Sequence, residues 1–106
     1  MTRDTAIDRQ ISDVLARLVK AVDQLDDDRL DVSVADGKVV MDFADGVKII
    51  INRQGVANQI WVAEPKGGWH FDLKDGRWIC DKRSIELFES VSGLLSDKLG
   101  RVVLIR

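Results

Sequence analysis

From Leu30 to Phe43 the chain runs Leu-Asp-Val-Ser-Val-Ala-Asp-Gly-Lys-Val-Val-Met-Asp-Phe. Apolar and polar side chains alternate on both sides of Asp36-Gly37, which is the period of a half-buried strand, and glycine supplies the positive φ that a two-residue hairpin turn demands. Folding the segment about that turn sets Val34 opposite Val39, Val32 opposite Met41 and Leu30 opposite Phe43, so all six share one face. Asp31 then meets Asp42 on the other face. The register is self-consistent, and it predicts an antiparallel hairpin with one apolar side.

Working outward, further turn signals follow at roughly ten-residue spacing: Asp45-Gly46, Lys66-Gly67-Gly68 and Asp75-Gly76. A two-residue turn at Asp45-Gly46 would put Lys48 opposite Phe43. A three-residue loop, Ala44 to Gly46, instead pairs Phe43 with Val47 and Met41 with Ile49, with Gly46 left-handed. The next strand, around Gln59 to Ala63, buries Ile60 and Val62 and turns Gln59, Trp61 and Ala63 outward, so an exposed Trp61 is expected. The turn at Asp75-Gly76 puts Trp69, Phe71, Leu73, Trp78 and Cys80 on the apolar face. His70, Asp72, Lys74, Arg77, Ile79 and Asp81 take the other.

Helical periodicity flanks this meander. Ile7, Ile11, Val14, Leu15, Leu18, Val22 and Leu25 recur at spacings of three and four, and Asp26-Asp27-Asp28 ends the pattern. A second helix is expected after a cap at Ser84, with Ile85, Phe88, Val91, Leu94 or Leu95, and Leu99 inward, stopped by Gly100. The short apolar tail Val102 to Ile105 closes the chain. Helix, about six strands, helix predicts an α+β fold: a two-layer α/β sandwich, one domain over residues 1–106, with both helices on one face of an antiparallel sheet. The opposite face would display Asp31, Asp42, Lys48, Asn52, Gln59, Trp61, His70 and Asp72 to solvent.

The 106 residues, 45% hydrophobic and 32% charged, suffice for one real core without disulfides or metal staples. A lone cysteine excludes an internal disulfide and any Cys-rich zinc module, which points to a reducing compartment, by default the cytoplasm. No apolar run approaches the roughly 18 residues of a membrane span, and the start of the chain has no signal-like apolar region. The net charge of −2 is a cancellation: residues 1–47 carry 11 acids and 6 bases, residues 48–106 carry 7 acids and 10 bases. Between Lys20 and Asp36 stand six aspartates, Asp23, Asp26, Asp27, Asp28, Asp31 and Asp36. Aspartate is disfavoured inside helices, so helix propensity does not explain them.

Cys80, His70 and Asp72 resemble a thiol-imidazole-carboxylate set only as a list, because the hairpin register puts Cys80 and His70 on opposite faces. Motifs for dinucleotide, nucleotide and zinc chemistry are absent, and the bases are too dispersed to form a nucleic-acid footprint. The aspartates are hard oxygen ligands suited to hard cations, but no calcium loop of EF-hand spacing encloses them, so any metal binding should be weak and little selective. Their other reading is an electrostatic docking surface, which an exposed Trp61 beside Asn52 and Gln59 would complement as a short-range anchor.

In the runs Lys48-Ile-Ile-Ile-Asn-Arg-Gln54, Gln59-Ile-Trp-Val-Ala63, Gly68-Trp-His-Phe-Asp-Leu73 and Trp78-Ile-Cys-Asp81, the chain resembles the frataxin family in its bacterial form. The resemblance spans the whole length and is densest from Val39 to Asp81. It implies the same fold, a cytoplasmic role in iron-sulfur cluster assembly, weak and exposed binding of ferrous or ferric iron in which other divalent cations can substitute, and docking on the cysteine desulfurase and its scaffold. It implies a metal-binding ridge at Asp23, Asp27 and Asp31, with Asp26 and Asp28 contributing, and a partner patch at Asn52, Gln59 and Trp61, with Arg53 and His70 nearby. Where the ridge of many relatives continues along the first helix, Leu18, Val19, Lys20 and Val22 stand here. Asp4 and Asp8 read as helix-dipole acids rather than a second cluster.

The function expected is therefore a surface adaptor without catalytic residues, binding neither nucleic acid nor membrane, monomeric unless iron drives oligomerisation. The alternative is an iron-oxidising, iron-storing ferroxidase-type oligomer. It ranks lower because no Glu-x-x-His pair of the buried di-iron type occurs.

Overall fold

The structure, a computed structural model, describes residues 5–35, 37–54 and 57–106; Asp4 and Asp36 lie outside the described residues. Helix α1, Thr5–Asp23, leads into strands β1 (Leu30–Ala35), β2 (Lys38–Phe43), β3 (Lys48–Gln54), β4 (Gln59–Glu64), β5 (Gly67–Lys74) and β6 (Arg77–Cys80), and helix α2, Leu87–Leu99, follows. The strands form one antiparallel sheet in the order β1-β2-β3-β4-β5-β6, each hairpin pairing with the next. This is the expected α+β fold, with both helices packed on one face of the sheet.

The first hairpin has the predicted register, Val34 with Val39, Val32 with Met41 and Leu30 with Phe43. The next loop is the three-residue one: Met41 pairs with Ile49, the Phe43 N–H donates to the Val47 carbonyl at 2.9 Å, and Gly46 sits at φ 91°. A side chain is strained at that φ, which explains glycine there. The core lies between the layers. Ile11, Val14, Leu18 and Val22 of α1 and Leu87, Val91, Leu95 and Leu99 of α2 meet Met41, Ile49, Ile51, Ile60, Val62, Phe71 and Trp78 of the sheet. Cys80 is buried on the same side, away from His70.

Two expectations need correction. Val34 has the predicted register but is 62% exposed, at the sheet edge that β1 forms. The second helix is capped by Glu86, not Ser84: the Glu86 carboxylate accepts from the N–H groups of Phe88 at 3.0 Å and Glu89 at 3.2 Å. Helix cannot start at Ser84 because the Ile85 carbonyl accepts from the Cys80 N–H at 2.8 Å and Glu86 bridges Ile79, so the chain is still held against β6. Asp8 stands in the first turn of α1, where the helix dipole favours an acid, and its carboxylate also pairs with Arg53 across the layers.

The C-terminal tail is secured without a strand ladder. The N–H groups of Val103 and Ile105 donate to the hydroxyls of Ser96 at 2.8 Å and Ser92 at 2.9 Å, one turn apart on α2. Val103 and Ile105 are thereby buried while Val102 and Leu104 face out.

Candidate functional site: a tryptophan face and an acidic rim

The sheet face away from the helices carries a row of side chains set by consecutive registers. Lys38 lies beside Asn52, Asn52 beside Trp61, and Trp61 beside His70. The His70 carbonyl accepts from the Asp81 N–H at 2.9 Å, which extends the row across β6's end. The indole of Trp61 stacks on the imidazole of His70, centroids 4.2 Å apart and planes 13° apart. Its N–H donates to Gln59 Oε1 at 2.8 Å, and the Gln59 amide donates in turn to Asp72 at 2.9 Å. Trp61 is thus half-buried rather than fully exposed, because an indole lying flat on a neighbouring ring covers one of its own faces. An aromatic ring held from below and at its edge has little rotamer freedom left to lose on binding, which suits it to anchor a partner.

Asn52, Gln59, Trp61 and His70 come together as expected. Arg53 does not join them. It faces Ile60 in the β3–β4 pair, on the helix side of the sheet, where its guanidinium meets Asp8. Period two assigns it there, since Ile51 is buried and alternate residues share a face. Sequence reasoning missed Lys38, which turn parity brings beside Asn52. His70 Nδ1 lies 3.9 Å from Asp81, close enough to pair if the imidazole is protonated but too far for a hydrogen bond.

The acidic set lines the junction of α1 and β1. Asp26, in the turn that follows α1, adopts a left-handed φ of 49°, a conformation that short polar side chains tolerate. Asp23, Asp26, Asp27, Asp28 and Asp31 line one shallow cleft of about 240 Å³. Within it Asp27 is already neutralised. It accepts from the Arg29 guanidinium at 2.8 and 3.0 Å and from the Arg29 N–H at 3.0 Å, and Arg101 lies at 3.4 Å. Those bonds, chiefly the side-chain one from Arg29, hold its carboxyl well below the usual carboxylate range. The Arg29 pairing is local, whereas nothing before folding shows that Arg101 reaches Asp27 from the far end of the chain.

Asp31 faces Asp42 as expected, but Lys48 Nζ stands 3.0 Å from Asp42 and supplies the cation that this pair calls for. Among the described residues no three carboxylate, imidazole or thiol groups are placed to hold a metal ion. Asp23, Asp26, Asp28 and Asp31 offer an open field of carboxylates, suited to loose association with a hard cation rather than a closed cage. Leu18 and Val22 are core residues, so acids could not have continued the ridge through those two positions. The larger cavity, about 610 Å³, lies on the other layer between the helices and the tail and contains none of these residues.

Fold and surfaces together define a class: a small two-layer α+β protein whose chemistry is displayed on an open sheet face and an acidic rim rather than enclosed. The sequence matches the frataxin-like domain over residues 2–101, and the chain belongs to that family. It is 43% identical over 84 residues to the iron-sulfur cluster assembly protein CyaY of Tolumonas auensis, covering 79% of this chain and 80% of that one. It is 36% identical over 104 residues to the iron-sulfur cluster assembly protein CyaY of Dechloromonas aromatica, covering 97% and 98%. Frataxin from Psychromonas ingrahamii shares the fold with a TM-score of 0.87 at 21% identity, covering 97% of each chain. Trimeric frataxin from Saccharomyces cerevisiae, complexed with ferrous iron, aligns with a TM-score of 0.76 at 26% identity over 87% of each.

Proposed function

We propose that this protein is an adaptor in iron-sulfur cluster assembly, docking on the cysteine desulfurase and its scaffold and carrying iron loosely as cargo. It performs no chemistry of its own. The observation that carries this reading is the pre-ordered Trp61, stacked on His70 and tied to Gln59, next to Asn52 on an open face. The names of the relatives give the pathway.

In this mechanism the carboxylates of Asp23, Asp26, Asp28 and Asp31 steer the protein toward a basic surface, within the roughly 8 Å over which charge acts at physiological salt. Trp61, Asn52 and Gln59 then fix the pose. Ferrous or ferric iron on the same carboxylates lowers their net charge and so changes affinity for the partner, which makes the adaptor responsive to iron.

The test is desulfurase activity and binding across an iron series. Trp61→Ala is expected to lose binding, and Asp28→Lys with Asp31→Lys to weaken it and flatten its salt dependence. Unchanged binding in both variants would sink the proposal. The trimeric, ferrous-bound yeast neighbour motivates the second reading, an iron-oxidising oligomer. Catalytic oxygen uptake after anaerobic iron loading would favour it over the adaptor.

A further inference from the structure

The two edges of the sheet are finished differently. At β6 the chain returns on itself: the Ile85 carbonyl accepts from the Cys80 N–H, and Glu86 bridges Ile79. At β1, among the described residues, no strand or loop pairs with the outer edge. Which backbone groups point outward follows from parity. The Arg29 carbonyl accepts from the Ala44 N–H at 2.8 Å, and Ala35 pairs with Lys38, so odd-numbered residues of β1 bond inward to β2. The N–H and C=O groups of Val32 and Val34 therefore face out. The Leu30 N–H is taken by the Asp27 carbonyl at 3.0 Å, which leaves the Leu30 C=O in the same outward row.

Side chains define what this edge accepts. On the helix side Val34 is 62% exposed and Val32 half-buried, an apolar strip that an added strand would cover. On the open side of β1 stands Asp31, and Asp28 lies in the connection just before the strand, with Asp23 and Asp26 across the adjoining cleft. Asp27 adds no free charge, being held by Arg29 and Arg101. We propose that the outer edge of β1 is a β-augmentation site for an extended segment of another protein that alternates apolar with basic residues. Main-chain bonds to Val32 and Val34 supply its backbone recognition. Its apolar residues lie against Val34 and Val32, its basic residues approach Asp31 on the open side, and a base at its end approaches Asp28 beyond the start of the strand. A second copy of this chain fits poorly, since Leu30–Ala35 offers an acid and no base to complement the acids opposite it. The inference rests on the proposed docking role for the carboxylates the two share, and the peptide titration tests the edge by itself, without the desulfurase and without the Trp61 face.

The probe is a blocked peptide of alternating valine and lysine, about eight residues long so that it spans the strand. Its control is the same peptide N-methylated on alternate residues, which removes the donors facing the protein but keeps the charge. On titration into the full chain, the unmethylated peptide is expected to slow amide exchange at Val32 and Val34 and to bind at least about tenfold tighter than the control, a ratio that two or three net hydrogen bonds supply. Val34→Pro, which deletes one outward N–H and leaves the inward ladder intact, should lower affinity for the unmethylated peptide alone. Equal affinity of the two peptides, or protection confined to residues outside β1, would overturn the proposal. Dimerisation of the protein abolished by Val34→Pro would overturn the choice of a foreign segment. Neither peptide arm depends on a variant folding.

Discussion

Removing the Ser96 hydroxyl gives a quantitative test of how the C-terminal tail is secured. Ser96 Oγ accepts from the Val103 N–H at 2.8 Å and lies 2.8 Å from the Ser92 carbonyl and 3.1 Å from the Val103 carbonyl, its single proton being shared between those acceptors. Ser92 does the same for Ile105, with the N–H at 2.9 Å and the carbonyl at 3.4 Å. In Ser96→Ala the Val103 N–H is left unpaired in a buried site, which costs about 1–3 kcal/mol if the tail stays docked. If the tail lifts, the loss is the burial of Val103 and Ile105, which are 3% and 5% exposed, at most about 1.5–3 kcal/mol each. Tail docking as a whole is therefore a ceiling. Ser92→Ala with Ser96→Ala should cost less than the sum of the single substitutions and no more than deleting residues 103–106, because a detached tail has nothing further to lose. Urea unfolding of the two single variants, the double variant and the truncation measures all four quantities. Heating should show about 4 °C or more per kcal/mol for a domain of this size. A double variant that exceeds the truncation, or a Ser96→Ala within a few tenths of a kcal/mol of wild type beside a costly truncation, would refute the hydroxyl tether.

Other consequences are open to direct measurement. Trp61→Ala should leave thermal stability within about 1 kcal/mol, since it removes a half-covered surface stack, while partner affinity measured by calorimetry falls at least about tenfold. Arg53→Met should behave oppositely, lowering stability by about 1–2 kcal/mol in urea unfolding through loss of the part-buried Asp8 pair while leaving partner affinity unchanged, because the side chain faces the helices. The Asp27 carboxyl titrates lower in the folded than in the unfolded chain, so its contribution is present above the unfolded value of about 4 and disappears as pH falls through the lower folded value. The stability gap between wild type and Asp27→Asn should accordingly be constant from neutral pH down to about pH 5 and shrink in acid; a gap that widens in acid would contradict the pairing. Gly46→Ala, forced to φ 91°, should cost about 1 kcal/mol in the same unfolding assay.

Local pattern and turn chemistry carried most of the architecture. Alternation about Asp36-Gly37 and the three-residue loop at Gly46 set the faces of the first three strands from local sequence, because a strand's side chains have a period of two and a slip exposes the whole apolar set. The same period assigns Arg53 to the helix side; the family resemblance, which groups residues by neighbourhood in sequence, put it with the wrong face. The Ser84 cap failed for a different reason. A serine before an apolar run is a sound local signal, but pairing of Ile85 and Glu86 with β6 overrode it. Ser92 and Ser96 at helical spacing on an inward stripe were a legible anomaly whose purpose depended on where the tail lies.

What the amino-acid order determined by itself is therefore the set of elements, the hairpin registers, and the presence of an acidic segment and a sheet-face tryptophan. All of these rest on contacts within a few residues or across one turn. Tertiary structure alone decided which acids stay free, since Arg101 reaches Asp27 from the opposite end of the chain. It also decided that Trp61 lies flat on His70 and that the tail closes against two serines. Each is a meeting of groups brought close only when the layers pack, and no local period encodes the distance between them.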